Sequence, residues 1–269
     1  MERYLKIYQI LLRNSLIREM NFAANFWGWL ICEALWFAAQ IALIEVVFLY
    51  TDSVAGWNKW QVVMLYGTHH LTSQLFQAVC FVNLANVPEL IRTGKMDFLL
   101  LQPINAQFAA STKQFGFDNL VNAMLGVAFV VYGCHRLEFI PSAGQMALYV
   151  IAVCFGIMIH YALTVMLVSI SFWVVKAQGA LYAYYNLMNL ARYPDAVFRS
   201  APFVVKTLLT FVIPVMIVAN VPTRLLNDIT TGTNLWLSSG FLVGVSCLMM
   251  TVSVCLWNFA LSHYTSASS

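Results

Sequence analysis

The residues of this chain best suited to chemistry stand where such residues are costly. Glu33, His70 and His160 lie inside long apolar runs, and Glu45 lies nearer the end of one. An ionisable side chain in a lipid-crossing segment loses its hydration, so a chain that keeps one there uses it for a substrate, a proton or a partner. Spacing sharpens the pattern. Glu33 and Gln40 are seven residues apart and share a helix face. His70, Ser73, Gln74 and Gln77 follow the i, i+3, i+4, i+7 rule of one polar stripe, and Tyr182, Tyr185, Asn186, Asn189 and Tyr193 form a second. Such stripes line a substrate path or a proton relay, or they face neighbouring helices and hydrogen-bond there at about 1 kcal/mol or less per contact. Both uses are open from sequence; the isolated His160 reads as a packing residue.

Other chemistries are excluded. Gly94-Lys95 resembles the end of a phosphate-binding loop, but Met96 replaces the required Ser or Thr and Glu89 stands where the first glycine belongs. ATP energy, if used, must come from a partner. The six cysteines include no Cys-x-x-Cys pair, and all but Cys134 fall in apolar runs, where Cys acts as a small apolar residue. No metal site is expected.

The elements that must position these residues follow from composition. Of 269 residues 61% are hydrophobic and only 9% charged, with a mean hydropathy of +0.76. A soluble domain carries about 25% charged residues, so this chain is an integral membrane protein. A net charge of +3, scattered along the chain, gives no case for nucleic acid. Five apolar runs are long enough to span: 22–50, 60–83, 117–133, 146–175 and 235–261. None alternates with period two, which predicts helices rather than a barrel. Between the last two lie 180–198 and 203–221, each broken by proline.

Residues 1–20 carry Arg3, Lys6, Arg13 and Arg18 among helically spaced Leu and Tyr, the pattern of an amphipathic helix on the membrane surface. With Arg92, Lys95 and Lys113 in the loop after the second run, the positive-inside rule puts the N-terminus in the cytoplasm, and an even number of crossings returns the C-terminus there. Charge tallies favour 203–221 over 180–198 as the crossing segment, 11 basic residues against 3 instead of 8 against 6. Gly240 and Gly244 have the spacing of a close helix approach. The loop over 86–113 sets Glu89, Leu90, Arg92, Lys95 and Asp97 beside Leu99, Leu100 and Leu101. Mixed charge next to leucines suits a short surface helix that docks on a soluble partner, or a connector on lipid headgroups.

The stretch IRTGKMDFLLLQPI in this loop resembles the turn between the second and third spans of permease subunits of ATP-binding-cassette transporters, in the exporter-like type 2 (ABC-2) family. ARYPDAVF and FVIPVMIVANVPTRLL resemble the same family's segment before its last span. The resemblance implies one all-α permease domain over 1–269, with six transmembrane helices after an amphipathic interfacial helix. It implies that 180–198 is the fifth span and that 202–226 is a re-entrant outer hairpin turning near Pro214 and Pro222, against the charge tally. The loop becomes a coupling helix seated on a separate nucleotide-binding ATPase subunit, which holds ATP and Mg, while this chain binds no cofactor and performs no catalysis. A second permease, identical or related, shares the path. Glu33, Gln40, His70, Gln74, Gln77, Tyr185, Asn186 and Asn189 are path candidates. Tyr193, Pro194, Pro214 and Pro222 are outer-gate candidates. Arg192, Arg199, Lys206 and Arg224 would cluster at the outer mouth to meet an anion. The expected location is the inner cell membrane. The competing expectation is a proton-coupled carrier that uses Glu33, His69 and His70.

Overall fold

The computed structural model describes residues 2–21, 23–174, 178–227 and 235–265. All regular structure among them is helical; an isolated bridge joins Val54 and Trp57. Helix α1 (Glu2–Asn21) leads into α2 (Ala23–Tyr50). The chain returns through a turn in which Trp57 is fully buried and Gly56 has φ +84°. At that turn Lys59 pairs with Glu45 of α2. Asn58 then caps α3 (Lys59–Phe76) reciprocally with Gln61, satisfying two of the backbone donors a helix start leaves over. A π-helical turn (Gln77–Phe81) and α4 (Val82–Leu84) prolong α3 into one rod over 59–84.

Three short helices follow: α5 (Val87–Arg92), α6 (Met96–Leu100) and α7 (Ala106–Thr112). Gly94, at φ +69°, makes the tight reversal between α5 and α6 that a residue with a Cβ resists. Then come α8 (Phe117–Arg136) and α9 (Ala143–Ser169), the latter started by a Ser142–Gln145 capping box. Next are α10 (Gln178–Met188), α11 (Phe203–Thr207), α12 (Val215–Asn227) and α13 (Leu235–Ser262).

Four helical stretches are long and apolar enough to cross a bilayer: Phe26–Tyr50, Phe117–Arg136, Ala143–Phe172 and Trp236–Ser262. The pair Phe203–Thr210 and Val215–Asn227, bent by 68°, adds a fifth if it counts as one span. Six long apolar helices are therefore not present among the described residues. The rod over 59–84 is long enough but too polar to register, because its stripe replaces apolar side chains. The expected span 180–198 is not one helix. After α10 the chain tightens into a 3-10 turn (Asn189–Arg192), extends at Tyr193 (φ −98°, ψ 147°) and turns again over Asp195–Ser200. Pro194 is the cause, since it pushes the residue before it out of the helical region.

The bend falls at Pro214, as expected, but Pro222 makes no turn. It lies buried within α12. Proline in a helix frees the carbonyl four residues back, here that of Val218. That carbonyl faces Gly156 of α9, where an added Cβ would come within 3.0 Å. The glycine lets α9 sit against the exposed backbone of α12.

The core is built around the α3 rod and α9. Helix α8 packs along α3, and α12 and α13 flank α9. Backbones of α3 and α8 approach closely at Gly67 and Gly126: a Cβ on Gly126 would lie 2.7 Å from both the Gly67 carbonyl oxygen and the Leu71 nitrogen. The expected approach at Gly240 and Gly244 is absent, since nothing lies within 4 Å of where their Cβ atoms would be. Gly126→Val should therefore cost about 1–3 kcal/mol or more through overpacking, while Gly240→Val should stay within about 0.5 kcal/mol. Thermal melts of the detergent-solubilised chain followed by size exclusion check the contrast; equal midpoints would contradict it.

Candidate functional site

The two polar stripes converge. Residues of α2, the α3 rod, α9, α10 and the 3-10 turn after it enclose a cavity of about 280 Å³. Glu33, His70, Gln74, Gln77, Tyr185, Asn186 and Asn189 all line it, which gathers seven of the eight path candidates. The helices bring them together for a simple reason. The stripe of α3 turns inward because hydrocarbon offers its polar groups no hydrogen bonds. The tight Gly67–Gly126 contact holds α8 against the rod beside the stripe.

Five residues passed over as path candidates belong to the same wall: Tyr66, His69, His160, Tyr184 and Arg192. His69 has Thr72 and Ser73 three and four residues on, a spacing that could have marked it, whereas His160 stood alone in its run and only its histidine chemistry could have done so. His160 is held by Tyr184, whose hydroxyl lies 2.8 Å from its Nδ1, and it stacks on Phe76 at 5.3 Å. Buried polar atoms lining this cavity lack partners: His69 Nδ1, His70 Nε2, Gln74 Oε1, His160 Nε2 and Arg192 Nε. An unsatisfied buried polar atom costs about 1–3 kcal/mol, so so many around one space point to an occupant that supplies hydrogen bonds.

Gln40 lies elsewhere. With Tyr193 and Pro194 it lines a mainly apolar cavity of about 250 Å³, which shares Tyr66 and Arg192 with the polar one. The Pro194 turn is clamped to α12. Asn220 Nδ2 donates to the Tyr193 carbonyl at 3.2 Å, and its Oδ1 accepts from the Asp195 N–H at 3.0 Å. Arg224 Nη2 reaches Asp195 Oδ1 at 2.5 Å, with its guanidinium over the Trp57 ring. Pro214 and Pro222 are buried and line neither cavity. Of the four cations expected to cluster at the outer mouth, Arg224 is buried in its ion pair with Asp195, and Arg192 lines the two cavities. The side chains of Arg199 and Lys206 lie outside the described residues.

The loop over 86–113 packs on the base of the bundle. Leu99, expected to meet a partner, is buried with Leu84, Val87 and Met96 and holds the loop in place. The exposed apolar residues are its neighbours Phe98 (72%) and Leu101 (80%), with Leu100 partly turned out (39%). A three-residue spacing sets Phe98 and Leu101 on one side of the turn, a phase too short to read from sequence alone. Arg92, Lys95 and Thr93 are exposed beside them. Arg92 grips Glu89 with two hydrogen bonds, 2.8 and 2.6 Å, and its guanidinium holds the Glu89 carboxyl below its ordinary range. Between α1 and this loop runs a groove of about 430 Å³ lined by Ile7, Leu11, Leu90, Phe98 and Lys113 among others.

Three side chains tie the loop to the rest of the chain at 114–117. Asn83, at the end of the α3 rod, accepts from the Gln114 N–H and donates to its carbonyl, both at 2.7 Å. Ser15 Oγ and Glu19 Oε1 of α1 accept from the N–H groups of Phe115 and Phe117, each at 3.0 Å. Burial pushes the Glu19 carboxyl up from its ordinary value, while the Phe117 N–H favours its charged form.

Comparison with known proteins adds one finding. A family model described as ABC-2 family transporter protein matches residues 34–268, which takes in the α3 rod, the loop over 86–113, the last helix and the lining of both cavities except Glu33. No curated protein and no solved structure matches the chain. With the apolar helices and the buried polar cavity, that match identifies the chain as a multi-pass membrane permease that belongs to the ABC-2 transporter family.

Proposed function

We propose that the chain is one permease of an ATP-driven exporter, and that its loop over 86–113 docks on a separate nucleotide-binding ATPase subunit. Family membership supports the first part, because ABC-2 permeases generally work with such a subunit. One observation carries the second: Phe98 and Leu101 stand exposed on a short helix end, in a loop that also exposes the charged side chains of Arg92 and Lys95. An apolar centre inside a polar rim is the anatomy of a protein interface. ATP and Mg bind the partner, and this chain performs no bond chemistry. A second permease, identical or related, completes the translocation path. The largely exposed faces of α2 and α13 suit that contact and the lipid around it.

In this reading the chain crosses the inner cell membrane six times with both termini in the cytoplasm, and α1 lies on the cytoplasmic surface. The rod over 59–84 is the second crossing, 180–198 forms the fifth in broken helix, and 202–226 is a re-entrant hairpin with its bend at Pro214. Broken helix at membrane depth is tolerated where it is covered by protein or lines a cavity. The burial of nearly every residue of α12 supports that placement. Tyr193 and Pro194 bound the path above the polar cavity.

A proton-coupled carrier is the second reading, favoured by the presence of Glu33, His69 and His70 on one cavity wall. Transport in proteoliposomes separates the two. Omitting the ATPase should abolish it; transport that persists without the ATPase and collapses with the proton gradient would establish the carrier. The docking surface has its own test. Phe98→Asp combined with Leu101→Asp should lower retention of the ATPase in a detergent pull-down at least about tenfold, the loss of roughly 1.4 kcal/mol, with the elution profile of the permease unchanged. Leu99→Asp should instead destabilise the permease itself. Full retention by the double variant would refute the docking assignment.

A further inference from the structure

The polar cavity carries two opposite charges that do not neutralise one another. Glu33 enters from α2 and Arg192 from the turn after α10. Neither forms an ion pair among the described residues. They are not remote, for Tyr66 and Tyr185 line the same cavity and each lies in the field of both charges. The two charges therefore stand across a space walled by tyrosines. Leaving a partly buried charge without a partner is expensive, and a chain could close this gap by pairing them directly. It keeps them apart around a volume of about 280 Å³, several times the roughly 30 Å³ share of one water.

The lining also differs from end to end. Beside Glu33 stands Trp36, 59% exposed at the rim, whose ring face suits a cation. Beside Arg192 stand His69 and Asn189, with His69 Nδ1 and Arg192 Nε left without partners. One end is built for an ammonium, the other for an anion that accepts hydrogen bonds.

We propose that this cavity binds a zwitterionic group, its cationic end against Glu33 and Trp36 and its anionic end against Arg192 and His69. The proposal rests on the reading of the cavity as part of the translocation path and names the class of cargo that path selects. The same chemistry could arrive as a free small zwitterion or as a lipid headgroup.

Isothermal titration of the full-length chain in a maltoside detergent tests it with four probes. Glycine betaine and glycerophosphocholine are free zwitterions, choline carries the cation alone, and glycerol phosphate the anion alone. At least one zwitterion should bind about tenfold or more tighter than either single-charge probe, and Glu33→Gln and Arg192→Gln should each erase that margin. Arg192→Lys, which keeps the charge, should restore part of it. Unchanged melting midpoints would show that the variants fold. If the free zwitterions are silent but dihexanoyl phosphatidylcholine below its micellar concentration binds and responds to both variants, the group is a lipid headgroup. Equal binding of single-charge probes, or a margin that survives both variants, overturns the proposal. The path reading stands or falls apart from this: binding with no nucleotide-dependent change in the sidedness of the cavity would sink the path and leave the site, and the reverse result would sink the site alone.

Discussion

A polar helix in a bilayer has to find its hydrogen bonds inside the protein, and the arrangement of this chain follows from that constraint. The α3 rod carries His69, His70, Thr68, Thr72, Ser73, Gln74 and Gln77, and, in the proposed reading of the rod as a crossing, lipid can satisfy none of them. The rod therefore lies in the middle of the bundle. Two glycines let α8 press onto it, backbone against backbone. On another side Tyr149 of α9 meets Thr68 at 3.1 Å, while Thr72 bonds back to the Thr68 carbonyl. Along the stripe from His70 to Gln77 the packing leaves a gap, and there the broken segment after α10, with His160 of α9, closes over it to leave a polar cavity. The cavity is the remainder of a packing problem, and its unsatisfied atoms mark where a cargo would sit.

The region that closes the cavity is irregular by sequence and rigid by contact. Pro194 and Pro214 each end a helix, yet Asn220 and the Arg224–Asp195 pair bind the Pro194 turn to α12. Pro222 frees a carbonyl that Gly156 accommodates. At the base of the bundle a parallel brace operates, since Asn83, Ser15 and Glu19 hold the backbone over 114–117 from two directions. Asn83 ends the rod that carries the cavity wall. In the proposed mechanism a push on the exposed Phe98 and Leu101 reaches that wall through one continuous helix, with a π-helical turn at Gln77 where such a rod can yield.

Much of this was readable from residue spacing. Apolar runs of sufficient length located four of the spanning helices, and helical periodicity identified both stripes whose residues line the cavity. Periodicity assigns a residue to a face and says nothing about which neighbour covers that face, so the meeting of Glu33, His160 and Arg192 stayed hidden. The same limit governs the docking loop: in a five-residue helix a shift of one position exchanges buried Leu99 for exposed Phe98. The Gly240 and Gly244 pair had the right spacing for a helix contact and makes none within the chain, whereas Gly67 and Gly126, on different helices, bring two backbones together. Arg224 looked free in a linear count of charge because its partner Asp195 is 29 residues away.

The central claim is that this cavity changes sides when a partner hydrolyses ATP. A single cysteine at Gln77, in a background without the six native cysteines, can be probed with an impermeant maleimide in sealed vesicles that hold the permease with its ATPase. The account predicts labelling from one side without nucleotide and from the opposite side when ATP is trapped on the ATPase. Labelling from the same side in both states, at the same rate, would contradict it.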